Sequence, residues 1–355
     1  MSTEQALPAS QEPSPRVLAG TVAASTVDST TGDSTTGDSP TGDWTTPAVA
    51  RGSRGRHAGP PASQAVPAPG SVLAVCLRRC ASAARSFPLA TTGLVVLVAM
   101  AIFCFIGPLL YHTDQVHVFL QFEDLSPRAG HPLGTDADGN DELGRLMVAG
   151  QASLLVGIVS GVLAAILGSL WGAIAGYTGG ALDAVMMRIV DAGIAIPTIV
   201  LALIIVSIER PTEPALILVI ATTSWLSTAR LVRGEALALR TREYVQAVRV
   251  MGGSDARVVL RHILPNALGT IAVNVTFQIG AAILTLATLS YLGLGIQFPA
   301  VDWGQMIFQA DQTIDLGYWW QVVPPGLAIM IVVVAFTMLG DGLRDGLVRA
   351  SRRAD

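Results

Sequence analysis

Six long apolar runs, separated by short polar connections, occupy the chain from about residue 87 to residue 350. A helix needs about 20 residues to cross a hydrocarbon core of about 30 Å, and each run is read against that length. Residues 89–110 give 22 positions without a charge, and the uncharged stretch 146–182 holds a second span with its flanking turns. A third, about 185–208, carries Arg188 and Asp191 near its start and Pro197 in its middle. The fourth has 16 uncharged residues, 214–229. That is about 24 Å of helix, enough to span if Arg230 and Arg233 extend their charged ends to the headgroups. The fifth predicts a helix over about 267–288 within the uncharged stretch 262–301, and the sixth runs from about 321 to 340. The pattern predicts an all-α, polytopic membrane protein with six transmembrane helices.

Arginine sets the orientation, because short cytoplasmic loops and span flanks are enriched in basic residues. With the N-terminus inside, the inner flanks hold Arg78, Arg79, Arg85, seven arginines from Arg230 to Arg261, and Arg344, Arg349, Arg352 and Arg353. The outer loops hold Arg128, Arg145 and Arg210. This predicts an N-in/C-in topology. The first 70 or so residues contain nine of the 20 prolines and a tandem pentapeptide, "STTGD", "STTGD", "SPTGD". Such composition buries too little apolar surface to offset the entropy of ordering it, so residues 1–86 are expected to be a disordered cytoplasmic tail. The start, "MSTEQALPAS", lacks the basic and apolar regions of a signal peptide.

Composition agrees with the class: 51% of residues are hydrophobic and 14% charged, against about 25% charged in soluble domains. Every basic position counted among Lys and Arg is arginine, so no GxxxxGK[ST] phosphate loop exists in the chain. Cys76, Cys80 and Cys104 have no His or Asp partners at metal-ligand spacing and read as free thiols. HExxH and GxSxG are both absent, so no catalytic residue, no metal and no nucleic-acid partner is expected.

The stretch "EYVQAVRVMGGSDARVVLRHILPN" breaks the apolar pattern. Residues 230–251 favour a helix with Tyr244, Val248 and Met251 on one apolar face. Gly252 suits the left-handed conformation that closes a helix. Ser254 or Asp255 offers the N-cap of a second short helix, 256–264, ended by Pro265. Basic amphipathic helices often lie on anionic lipid, but lipid binding does not require a glycine corner between two helices, which favours docking to a protein.

This segment resembles the EAA loop of ABC importer permeases. Gly252 aligns with the loop glycine, Gln246, Ala247 and Val248 with the EAA triplet, and His262, Ile263, Leu264 and Pro265 with its I-x-L-P ending. Gln246, Val248 and His262 depart from that pattern, yet the segment is similar to the version found in the dipeptide and oligopeptide branch. "HPLGTDADGNDELGRLMVAGQASLLVG", "MMRIVDAGIAIP", "SYLGLGIQFPAVDWGQMI" and "PGLAIMIVVVAFTMLGDGLRDGL" resemble segments of the same branch, in order, from about residue 85 onward. Asn140, Gly144, Ala149 and Gln151 replace residues usual in the first of them.

The resemblance implies a type I ABC importer permease fold in a bacterial inner membrane. Residues 87–147 would hold the first span and an extracytoplasmic loop, and 148–350 the permease domain, with a cytoplasmic coupling loop at 233–266. It implies a homologous second permease, two cytoplasmic ATPase subunits that use ATP, an extracytoplasmic binding protein and membrane lipid as partners, with no cofactor on this chain. The ATPase-coupling residues would be Glu243, Gln246, Ala247, Gly252, Gly253, Asp255, His262, Leu264 and Pro265. Peptides are the expected cargo; nickel chelates or another small solute are alternatives within the branch.

Three other features each admit two readings. "DADGNDE" alternates carboxylates, but Asp141 and Met147 occupy the Gly and Glu positions of an EF-hand loop, which favours a turn before the second span. Arg188 and Asp191 stand at i, i+3 and are expected to form an ion pair near the inner surface; in a stand-alone secondary carrier they would mark the coupling-ion path. The aromatics of "GYWWQ" are expected at the outer headgroup level.

Overall fold

The computed structural model describes residues 87–354 apart from 116, 209–211 and 297–299, and side chains as far as residue 349. The tail 1–86, with Cys76, Cys80 and its arginines, lies outside the described residues. What is described is helical throughout, with two isolated β-bridges in the loop before the second span. The helices are α1 (Pro88–Phe105), α2 (Gly107–Leu110), α3 (Glu142–Thr178), α4 (Gly180–Ala195), α5 (Thr198–Val206), α6 (Glu213–Leu239), α7 (Glu243–Val250), α8 (Asp255–Val258), α9 (Leu264–Leu289), α10 (Trp303–Ala310) and α11 (Trp319–Ala354).

Among the described residues five segments are long and apolar enough to cross a membrane: Pro88–Leu110, Glu142–Thr178, Glu213–Leu239, Asp255–Leu294 and Trp319–Arg349. The third run expected from the sequence is not one straight helix. It is the pair α4 and α5, bent by 83° between them, and it makes a sixth span if the two count as one. Pro197 is the cause, since it lacks an N–H for the turn before it and biases Ile196 to the extended conformation seen there. α6 runs ten residues past Ala229, because Arg230, Arg233 and Glu235 are good helix formers and charge does not end a helix.

Helices packed in lipid gain little from hydrophobicity, so close approach and hydrogen bonds decide their contacts. α3 illustrates this. Gly168, Gly172 and Gly176 recur every fourth residue along the face that meets α6, where an added Cβ on Gly168 would stand 2.5 Å from the Trp225 carbonyl and one on Gly176 2.6 Å from the Arg233 carbonyl. α1 and α11 cross the same way at Gly93, whose Cβ would meet the Ala335 carbonyl at 2.5 Å.

The end of the bundle that carries Asp136 is closed by the loop before α3 and by α10. Trp303, fully buried, donates from its indole N–H to the Leu146 carbonyl at 3.0 Å, and its backbone N–H reaches the Ser153 hydroxyl at 3.1 Å. Asp302 caps α10 through the N–H groups of Gly304 (2.8 Å) and Gln305 (3.2 Å) and accepts from the Ser290 hydroxyl at 2.7 Å; burial pushes its carboxyl upward against those bonds. The carboxylates of "DADGNDE" serve a turn. Asp141 caps α3 through Gly144 N–H at 2.9 Å, and Asp136 pairs with Arg145 at 2.8 Å while accepting from the backbone N–H groups of Asp138 and Asn140. Burial raises Asp136, and Arg145 and the Asn140 bonds oppose it. Tyr111 is pushed up to about 12 by burial and by its bond to Asp141. Of the two tryptophans of "GYWWQ", Trp319 is exposed, while Trp320 is buried with its indole N–H on the Thr135 carbonyl at 3.3 Å.

Candidate functional site

At the opposite end of the bundle, α7, a glycine corner and α8 project between α6 and α9. Val245 is completely buried and packs with Val248, Val258, Val259 and Ile263 against Ala173, Tyr177, Val232 and Ala236. The corner closes α7 with two nested bonds, from Gly253 N–H to the Val248 carbonyl (2.9 Å) and from Gly252 N–H to the Arg249 carbonyl (3.0 Å), with Gly252 at φ +80°. This is a Schellman arrangement, which satisfies carbonyls the helix end would leave open. The left-handed glycine expected at 252 is therefore present.

Two expectations about this segment need correction. The apolar face of α7 that packs inward is built on Val245, while Tyr244 and Met251 are 43% and 78% exposed. The i, i+3, i+4 spacing fits either face, and the pocket between α3 and α6 accommodates Val245. Second, no separate helix ends at Pro265. α8 passes through a wide turn at Val259–Ile263 straight into α9, and Pro265 occupies the first turn of that helix, where a missing N–H costs nothing. Ser254 holds the N-cap position of α8 without a side-chain capping bond. The Asp255 carboxylate instead accepts from the Tyr177 hydroxyl at 2.6 Å.

The structure brings the other loop residues together around this corner. Glu243 opens α7. Gln246 and Ala247 are exposed on its outer face, with Gln246 donating to the Thr241 carbonyl at 3.3 Å. His262 and Leu264 are half-buried at the wide turn, and Pro265 is exposed. With Val250 89% and Leu260 59% exposed, the loop presents an apolar surface on a firmly anchored base.

The expected Arg188–Asp191 ion pair is not formed. Asp191 instead pairs with Arg230 of α6 at 2.6 Å, because that guanidinium comes from the facing helix. A stronger pair that sequence reasoning missed lies one turn of α6 nearer the glycine corner, where Arg233 holds Asp183 with two parallel bonds of 2.6 and 2.7 Å. Both tie α4 to α6. Above them α4, α5, α6 and α9 border an open pocket of about 610 Å³, whose mainly apolar lining carries the polar groups of Thr198, Ser224, Ser227, Arg230, Gln278 and Thr285. The Ser227 and Thr285 hydroxyls donate to carbonyls of their own helices, Ser224 at 3.3 Å and Ala281 at 2.9 Å, which satisfies them at span depth. Gln278 also donates to the Ser224 carbonyl at 2.5 Å, fixing α9 to α6. Cys104 is free and buried, and no group of His, Cys, Asp or Glu among the described residues could hold a metal ion.

Residues 168–353 match the family described as binding-protein-dependent transport system inner membrane component. Similar proteins include the dipeptide transport system permease protein DppC of Bacillus subtilis, 36% identical over 75% of this chain and 83% of that one. The probable D,D-dipeptide transport system permease protein DdpC of Escherichia coli is 38% identical over 74% and 87%. The oligopeptide transport system permease protein OppC of Bacillus subtilis is 36% identical over 74% and 86%.

Proposed function

The chain belongs to the family of binding-protein-dependent transport system inner membrane components, multi-pass membrane permeases, and on that premise we propose that it is one permease subunit of an ATP-driven importer of dipeptides or oligopeptides. It forms half of the translocation pathway beside a homologous permease. Two ATPase subunits dock on the cytoplasmic side and do the chemistry, and a binding protein delivers the peptide on the other. In this reading the N- and C-termini are cytoplasmic, residues 1–86 are the tail, and residues 233–266 are the coupling loop.

The observation that carries the reading is the Gly252 corner: an exposed apolar surface on two short helices, locked at a fixed angle and packed onto the ends of α3, α6 and α9. Closure of the ATPase pair around ATP pushes on that surface. The spans then rock as rigid bodies, since packed helices switch between arrangements rather than deform. The open pocket bordered by α4, α5, α6 and α9 supports this chain's share of the pathway, because its mainly apolar wall carries the Arg230 and Gln278 side chains, which can hydrogen-bond a peptide backbone.

Substitution tests the docking role. Gly252→Asp and Ala247→Arg are expected to reach the membrane and assemble, while peptide taken up per ATP hydrolysed falls by about tenfold, as for roughly 1.4 kcal/mol of lost docking energy. Normal coupling in both variants would defeat the reading.

A further inference from the structure

Tyr177 stands in the last turn of α3 and is 5% exposed. Its hydroxyl donates to Asp255 Oδ1, on the first residue of α8, at 2.6 Å. The Arg249 guanidinium, in the last turn of α7, lies 5.5 Å from the centroid of its ring. One side chain therefore touches both arms of the glycine corner, one on either side of Gly252, and belongs to neither. Arg249 and Asp255 are themselves exposed, so Tyr177 is their link to the span.

We propose that Tyr177 is a positioning residue that clasps the two arms of the corner to the end of α3, so that a push on the corner moves that helix instead of flexing Met251 to Ser254. The inference rests on the docking role of the corner. Its physical basis is a division of labour within one side chain. The ring packs with Val245, Val258 and Ile263 and faces a cation, which fixes α7. The hydroxyl bonds a carboxylate, which fixes the start of α8. α3 in turn lies against α6 through Gly168, Gly172 and Gly176, so motion of its end is passed to a helix that borders the open pocket.

The test uses the whole importer in proteoliposomes, reading labelled dipeptide uptake and ATP hydrolysis together. Tyr177→Phe keeps the ring and removes the hydroxyl. Losing a partly exposed bond to a carboxylate shifts the balance between clasped and released corner by about threefold to tenfold, and uptake per ATP is expected to fall by that factor while hydrolysis continues. Asp255→Leu is expected to match Tyr177→Phe, and the double variant to be no worse than either single one, since both remove the same bond. A wild-type ratio in Tyr177→Phe, or additive losses in the double variant, overturns the clasp. Gly252→Asp run alongside separates the two levels: if it uncouples while Tyr177→Phe does not, the clasp fails and docking stands; if neither uncouples, docking itself fails.

Discussion

At Gly252 the backbone stands at φ +80° with open space where a Cβ would be, whereas a Cβ on Gly253 would press on Val248 at 2.6 Å. The first position needs glycine for its conformation and the second for room, a distinction invisible in the letters "GG". Side-chain partners were equally hidden. Asp191 pairs with Arg230 and not Arg188, and Asp183 with Arg233, because both partners come from another helix and no local spacing records them. Asp302 offers a test of burial at this scale. Its carboxyl is raised by desolvation, so the folded chain binds a proton more tightly than the unfolded one, and stability falls as pH rises from about 4 through the raised value. Asp302→Asn mimics the protonated form, with an oxygen for the Gly304 and Gln305 N–H groups and a donor for Ser290. The variant is expected to lose that part of the slope, which thermal melts of detergent-solubilised protein between pH 4 and pH 8 would reveal; parallel wild-type and variant profiles would contradict it.

Among elements, five of the six expected spans were legible as single helices, because an uncharged run of span length has few alternatives in a membrane chain. Ends were not legible, since charge was used to set them: α6 carries Arg230, Arg233 and Glu235 within it, and α9 begins across a proline expected to be a stop. The bend at Pro197 could be anticipated as a break, but not its 83°. The small residues at every fourth position on α3 are a readable signal of close helix contact. They lead to a contrast between two glycines. Gly172→Val would drive side-chain atoms into the Ala229 backbone and is expected to cost about 1–3 kcal/mol. Gly280→Ala meets Val333 and Phe336 at ordinary distances of 3.8–3.9 Å and is expected to gain about 0.5–1 kcal/mol from helix propensity. Denaturant titration of the purified chain in detergent would rank the two, and equal effects would refute the packing argument.

For the molecule as a whole, one end is closed by buried hydrogen bonds around Trp303 and Asp302, and the other carries the corner, anchored but exposed. The open pocket lies between them against the broken span α4–α5, whose bend leaves room beside α6 and α9. The glycine corner and the family were legible because the corner's residues are contiguous in sequence. The pocket was not, because Thr198, Ser224 and Gln278 come from three helices and each alone is an ordinary polar residue in an apolar run. The central claim is that this chain moves peptide only when ATPases act on its corner. Reconstitution with its partner permease, binding protein and ATPases in proteoliposomes, followed by labelled dipeptide uptake with ATP, with a non-hydrolysable analogue and with the ATPases omitted, tests it most directly. The account predicts accumulation in the first case and none in the other two. Uptake of equal rate without ATPase subunits would contradict it.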